Sequence, residues 1–289
     1  MDLFGAEIKP ATGPASLRLC VLASGSAGNC SVLVISDHSG SSFWLIDAGL
    51  SMRRTRKLLQ QIGLGEQSPR GILLTHLDDD HAGRSTLDGF GEDVPVFMHK
   101  RHLGRASREG RLFRRTELLA DGLKLSDSCS VHVRLAHHDT DGSASFRFTL
   151  EDRSRRAQLG YATDLGRPTA ELIDHLRGVD ILAIESNYCP LMQEAADRPR
   201  LVKDRVTGGS GHLSNQQCAR MVRAIAPRRH VVLLHLSRQC NSPELAAREH
   251  RDAGYELFIS SQTDPTPWLD APVRESTMEP VRAATIFEM

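Results

Sequence analysis

The run His76-Leu77-Asp78-Asp79-Asp80-His81 places two imidazoles and three carboxylates in six consecutive residues. Such a density of nitrogen and oxygen donors suits divalent cations, whose ligands must converge within about 2.0–2.2 Å on a rigid support. More donors follow downstream: His138 beside Asp139, Asp164 after Tyr161-Ala162-Thr163, and His235 after Val231-Val232-Leu233-Leu234. Each ends a short apolar or β-branched run, so four separate strands would each finish on a ligand-type residue. Singly, a histidine at a strand end is an ordinary hydrogen-bonded residue, and the aspartate run reads as a solvated turn or a helix cap. Jointly, they read as a metal centre able to activate water and stabilise charge on a reacting group.

The surrounding chain supplies elements that could hold such a centre. Residues 17–24, 31–36 and 42–47 are short apolar runs separated by Gly- and Ser-rich turns, which predicts an opening antiparallel meander. A helix is expected from Ser51, with Leu58, Leu59, Ile62 and Leu64 at helical spacing and Gly63 and Gly65 near its end. Gly71-Ile-Leu-Leu-Thr75 predicts a buried strand that delivers His76 at its carboxyl end. Further strands are expected at 94–98, 129–136, 143–150, 157–162, 179–184 and 230–235, with helices at 168–177, 214–226 and 243–253. A β-rich first half joined without a linker to an alternating second half suggests two packed sheets with helices outside, an αβ/βα sandwich. The stretch after Thr263 carries four prolines and little periodicity, which predicts an extended tail. The expected organisation is an extension over 1–16, one catalytic domain over 17–262 and a tail over 263–289.

Bulk properties exclude little. Lysine plus arginine and aspartate plus glutamate both number 36, so net charge argues for neither a nucleic-acid nor a membrane partner. The six cysteines, at 20, 30, 129, 189, 218 and 240, contain no C-x-x-C pair and read as reduced thiols. Residues 1–15 hold acidic residues and prolines where a signal peptide needs a basic start and an apolar run. No stretch approaches the roughly 18 apolar residues of a membrane helix. The expectation is a cytoplasmic protein with no membrane contact.

The order of residues 76–81, 138, 164 and 235 resembles the metallo-β-lactamase superfamily, which carries H-x-H-x-D-H after a strand, then an isolated His, an Asp and a final His. The segments SGSAGN at 24–29, LIDAGLS at 45–51, ESN at 185–187, GHLSN at 211–215 and HLSRQCNSPELA at 235–246 look like the YycJ/WalJ-type exonuclease branch. The resemblance spans about residues 17–260. It implies a four-layer αβ/βα sandwich and two divalent ions, with His76, Asp78 and His138 on one, Asp80, His81 and His235 on the other, and Asp164 bridging. Asp78 stands where the superfamily pattern has histidine, and H-x-D-x-D-H also resembles the metallo-β-lactamase domain of ComEC-type DNA-uptake proteins. The added carboxylate brings the formal charge of two ions, three aspartates and a hydroxide to about zero, against about +1 with histidine. Oxygen in place of nitrogen favours harder ions, so manganese joins zinc as the expected metal, with iron and magnesium as further candidates.

The implied chemistry is phosphodiester hydrolysis by a hydroxide held between ions about 3.5–4 Å apart, with Asp80 at the catalytic centre. His212, in Gly211-His-Leu-Ser-Asn215, resembles the proton-donating histidine of RNA-processing relatives and is the expected general acid; helix capping or phosphate binding are its plainer roles. Candidate substrate contacts are Ser24, Ser26 and Asn29 in the glycine-rich loop, Asn187, Lys203 and Arg205 in a basic stretch, and Ser214 and Asn215. Tight-turn packing explains the glycine-rich loop equally well, and a solvated charge run is by a small margin the default reading of the basic stretch that holds Lys203 and Arg205. Aromatic residues are 5% of the chain, so no extensive base-stacking platform is evident. The expected function is a DNA or RNA exonuclease, DNA ahead of RNA. Two other classes remain: a small-molecule hydrolase of a cyclic phosphodiester, thioester or lactone, and a non-catalytic nucleic-acid-binding relative whose metal site decayed at Asp78. The letters leave polarity of digestion and oligomeric state open, a homo-oligomer included.

Overall fold

Period-two alternation divides the apolar residues among layers. In β1 (Ser16–Ala23), Leu17, Leu19 and Val21 face one side and Cys20 and Leu22 the other. The computed structural model describes residues 15–112, 115–251 and 253–275. Its first sheet continues through β2 (Cys30–Asp37), β3 (Gly40–Ile46), β4 (Ile72–Leu73), β5 (Val96–His99) and β6 (Thr116–Leu119). The second holds β7 (Gly122–Lys124), β8 (Cys129–Ala136), β9 (Ser143–Asp152), β10 (Arg155–Ala162), β11 (Ile181–Glu185), β12 (His230–Leu234) and β13 (Glu256–Ile259). Between the sheets, Leu17, Leu19 and Val21 meet Val131, Phe146, Phe148, Leu159 and Tyr161.

Helices cover both outer faces. On the first sheet, α1 (Met52–Gln61), α2 (Arg84–Gly89) and α3 (Leu103–Arg108) bury Leu58, Leu59, Leu87 and Ala106. Ser51 caps α1, its hydroxyl accepting from the Arg54 N–H. The second sheet carries α4 (Ala170–Leu176), α5 (Pro190–Ala195), α6 (Arg200–Thr207), α7 (Asn215–Ile225) and α8 (Pro243–Arg248) in the intervals between and after its later strands. Of these, α4, α7 and α8 bury Leu172, Leu176, Cys218, Met221, Val222 and Ala246 against it. The result is the expected four-layer αβ/βα sandwich, the metallo-β-lactamase fold.

Topology collects the strand ends. β10, β11, β12 and β13 run parallel to one another, and β8 shares their direction because β9 is antiparallel to both β8 and β10. In the first sheet β3, β4 and β5 are likewise parallel. The carboxyl ends of β8, β10, β11 and β12 therefore lie along one edge, the usual place for chemistry in such sheets.

Three expectations need correction. The strand at 71–75 contracts to Ile72–Leu73, because the Thr75 N–H donates to the Asp47 carboxylate at 2.8 Å instead of continuing the ladder. The helix at 243–253 stops at Arg248. Residues after Thr263 do not form a simple tail: β14 (Leu269–Pro272) pairs antiparallel with β1, and β15 (Arg274–Glu275) pairs with β10. Leu269 and Ala271 join the core between the sheets, so the sandwich runs past the expected boundary at 262. Residues 276–289, and residues 1–14 of the expected extension, lie outside the described residues. The six cysteines are buried and unpaired, and burial raises the Cys20 thiol to about 11 and those of Cys129 and Cys218 to about 12. Among the described residues no helix is long and apolar enough to cross a membrane.

Candidate metal centre

Four histidines converge at the strand ends, with ring centroids 4.1 Å apart for His76–His81, 5.1 Å for His76–His138 and 5.6 Å for His81–His235. Three are gripped at Nδ1. His81 Nδ1–H donates to Asp47 Oδ2 at 2.7 Å, and His138 Nδ1–H donates to the Gly211 carbonyl at 3.0 Å. The Thr75 hydroxyl donates to Asp47, so its oxygen is left to accept from His76 Nδ1 at 3.0 Å. Anchoring Nδ1 fixes the tautomer that leaves Nε2 for an ion. His235 is held through its backbone, its N–H donating to Ser24 Oγ and its carbonyl accepting from Asn187 Nδ2.

Spacing decides which clusters suit a cation. Two ligands about 2.0–2.2 Å from one ion, at 90–109°, stand about 3–3.5 Å apart. His81 Nε2 is 2.9 Å from Asp164 Oδ2 and 3.7 Å from Asp80 Oδ2, His235 Nε2 is 3.3 Å from Asp80 Oδ2, and His76 Nε2 is 3.7 Å from Asp78 Oδ2. Donor atoms of His76, Asp78 and His138 lie within 4.8 Å of one another, as do those of Asp80, His81 and His235, and those of His76, His81 and Asp164. All seven residues expected as ligands are thus together, with the donor types and spacing that divalent ions require. Asp164, Glu185, His212 and His235 form a further cluster. Within it, however, His212 Nδ1 and Glu185 Oε1 are 2.6 Å apart, too close to share an ion and right for a hydrogen bond.

The carboxylates and imidazoles of the cluster shift one another's protonation. Burial opposes the charged form of His235, but Asp164 and Asp80 outweigh it and push the imidazole up to about 10. His81 is likewise raised well above its usual value against burial, by Asp164 and Asp47. Asp164 is held well below the carboxylate range, burial being overcome by His235 and His81. Burial, with His81 adding to it, keeps His76 neutral. Divalent ions entering here would displace the protons on His81 and His235.

Beside this cluster sits a pair that sequence reasoning only half found. Glu185, at the end of β11 and fully buried, accepts His212 Nδ1–H on Oε1 and the N–H groups of Leu165 (2.7 Å) and Leu213 (3.2 Å) on Oε2. Burial lowers the His212 pKa, but the Glu185 carboxylate outweighs it and raises the value overall. The ring, partly exposed, carries its second nitrogen beyond that bond. Asp47 was also missed, although a carboxylate directly after β3 and beside the ligand strand was a readable signal. Two residues after Asp47 the chain needs glycine: a Cβ at Gly49 would stand 1.7 Å from the Asp80 carbonyl oxygen. Asp47, Asp139, Asp164 and His235 all have left-handed backbones, with φ of 62°, 41°, 53° and 55°.

The expected substrate contacts divide into two kinds. Ser24, Asn29, Asn187, Ser214 and Asn215 are buried, and their side chains are committed internally. Asn29 accepts from Ser24 Oγ and the Gly25 N–H and points its amide at His81 Nε2 at 2.9 Å. Ser214 makes a reciprocal capping box with Gln217, and Asn215 bonds Ser186 and Asn241. Ser26, Arg205 and the half-buried Lys203 remain at the surface; Lys203 donates to the Glu194 carbonyl, and Arg205 lies 3.5 Å from Asp139. The His212 N–H donates to the Val206 carbonyl, so α6 ends against that histidine.

The family model described as beta-lactamase superfamily domain matches residues 44–236. The chain belongs to the beta-lactamase superfamily. Within that superfamily it is similar to the exodeoxyribonuclease YycJ of Bacillus anthracis, 27% identical over 265 residues that cover 86% of this chain and 96% of that protein. It is also similar to the exodeoxyribonuclease WalJ of Streptococcus pneumoniae D39, 27% identical over 241 residues, 79% of this chain and 85% of that one. Among solved structures, the metallo-beta-lactamase fold protein YhfI of Bacillus subtilis superposes with a TM-score of 0.62 at 15% identity, covering 86% of this chain and 99% of that one. Superfamily membership makes the chain a hydrolase, and the fold implies divalent metal ions.

Proposed function

We propose that this chain is a metal-dependent phosphodiesterase that digests nucleic acid from an end, DNA in preference to RNA, in the cytoplasm. The observation that carries the reading is the Glu185–His212 pair beside the candidate ligand cluster: it places a proton donor where an alkoxide leaving from phosphorus needs one, whereas a thiolate leaving from a thioester does not. Similarity to two exodeoxyribonucleases over most of the chain supports the polymer substrate.

His76, Asp78 and His138 would hold one ion, Asp80, His81 and His235 the second, with Asp164 between them; zinc and manganese suit this mixed set. Bound ions would acidify water and neutralise charge building on the phosphoryl oxygens. The residues do the rest. Asp47, Thr75 and Gly211 fix three imidazoles in orientation. Glu185 keeps His212 protonated, and His212 delivers its proton to the leaving oxygen. Asp80 ties the two halves together, its carboxylate facing both His81 and His235 and its backbone carbonyl accepting from Asn29. Ser26, Lys203 and Arg205 offer surface contacts to the substrate backbone, Arg205 through α6 next to the acid.

The test is digestion of end-labelled single- and double-stranded DNA and RNA with added manganese or zinc. Stepwise loss from one end of DNA, abolished by chelator, is expected. Turnover of small cyclic phosphodiesters, thioesters or lactones with none on polymers would overturn the nuclease reading, and binding without turnover in any metal would make the chain a non-catalytic relative.

A further inference from the structure

Asp78 does not stand alone. Its Oδ1 receives Arg105 Nη1 at 2.8 Å, while its Oδ2 faces His76 Nε2 at 3.7 Å. One carboxylate oxygen is thus spoken for by a guanidinium and the other is left toward the histidines. Arg105 itself is held in place: its Nε donates to Glu109 Oε1 at 2.8 Å, and Glu109 Oε2 receives Arg111 Nε at 3.0 Å. Arg111 then donates to the Leu77 carbonyl at 2.6 Å and to the Asp79 carboxylate. Residues 77–79 are therefore braced from outside by two arginines sharing one glutamate. α3, which carries Arg105, is fixed by the fully buried Ala106, whose carbonyl accepts from the Arg111 N–H at 2.7 Å. The side chains of Arg105 and Asp78 are 25% and 27% exposed, shielded enough for the pair to be ordered.

We propose that Arg105 is a positioning residue of the metal site, orienting Asp78 as a one-oxygen ligand beside His76 and His138 and supplying the positive charge that Asp78 removes. The inference rests on the two-ion reading above. Three aspartates, two ions and a hydroxide sum to about zero, and Arg105 and Arg111 against the one Glu109 they share return about +1, the Asp79 carboxylate being out in solvent. A ligating carboxylate whose second oxygen is hydrogen-bonded is a common outer layer of metal sites, and its loss typically weakens binding about 10–100-fold. With a neutral imidazole at position 78 the Arg105 guanidinium would lack its partner and face a cation. Residues 78 and 105 should therefore behave as one unit.

A double-mutant cycle tests this with wild type, Arg105→Gln, Asp78→His and Asp78→His/Arg105→Gln, reading metal equivalents and affinity by competition with a chromophoric chelator, and melting of the metal-free proteins. Wild type should bind two equivalents. Arg105→Gln should weaken one of them by about 10–100-fold and leave the other. In the Asp78→His background the same change should instead restore affinity, and Arg105→Lys, keeping the charge, should retain most of it. An equal loss from Arg105→Gln whichever residue occupies 78 would show that Arg105 merely anchors α3, and unchanged affinity would show that it does not act on the site; both outcomes overturn the inference. Less than one equivalent in wild type would overturn the two-ion reading beneath it. Should Arg105→Gln fail to fold, the cycle runs with Arg105→Met, which keeps the length and removes the charge, and a loss unaffected by residue 78 again counts against the inference.

Discussion

Glu185→Gln changes one charge beside His212 with almost no change of shape. Oε2 of Glu185 accepts two backbone N–H groups, from Leu165 and Leu213, so a glutamine must keep its carbonyl oxygen there. Its amide nitrogen then falls where Oε1 was, 2.6 Å from His212 Nδ1, and donates where the carboxylate accepted. The ring proton is forced to the other nitrogen of a neutral imidazole, and the imidazolium loses its counter-charge. Burial, the largest influence on His212, then acts unopposed by Glu185 and the pKa falls. Losing a general acid typically removes about 10²–10⁴-fold in rate, equivalent to about 3–5 kcal/mol in the barrier. The assay compares kcat on DNA, whose leaving alkoxide needs a proton, with kcat on an aryl phosphodiester that releases a stable nitrophenolate. DNA turnover should drop by about 10²-fold or more while the aryl substrate changes severalfold at most, with metal content unaltered. Because a raised His212 pKa keeps the acid form to higher pH, the alkaline limb of the DNA profile should move to lower pH in the variant. Equal losses on both substrates, or loss of metal, would refute the acid role.

Metal removal should lower the melting temperature, since ions present at a thousand times their Kd contribute about 4 kcal/mol per site; calorimetry before and after chelation measures it. For the metal-free protein, His235 has a folded pKa of about 10, above its unfolded value, so its contribution is full below about 6.5 and is lost as pH rises through 10. Melting temperature should therefore fall across that window, whereas metal retention, in competition with protons, should improve across it. Asp47→Asn should weaken metal binding about 10–100-fold by loosening His81, measured by chelator competition. Ser214→Ala removes the cap of α7 and should cost about 1 kcal/mol in denaturant unfolding.

The sandwich was legible where local pattern and tertiary role agree. β8 falls at 129–136 as expected, because Val131 and Val133 alternate with exposed neighbours. α7 begins after Ser214, whose capping signal is local. The candidate donor residues were legible because four sit in one turn and three just past strand ends. What escaped depends on distance along the chain. β14 is a strand because it pairs with β1, some 250 residues away, and the prolines in and before it gave no hint of that. α6 buries no residue, so it has no apolar face to read. Glu185 closes an otherwise apolar strand, and its meaning lies in His212, 27 positions on. Arg105 is invisible for the same reason, being 27 positions from the aspartate it holds.

Left-handed backbones at Asp47, Asp164 and His235 carry a consequence for how this protein evolves. Each such turn costs an L-residue about 1–2 kcal/mol in isolation, and glycine far less. The positions that aim ligand and support groups inward are therefore those where the bare fold prefers other residues. Selection for thermal stability alone would replace them first, and a lineage released from the need for activity would lose its centre while its sandwich grew more robust.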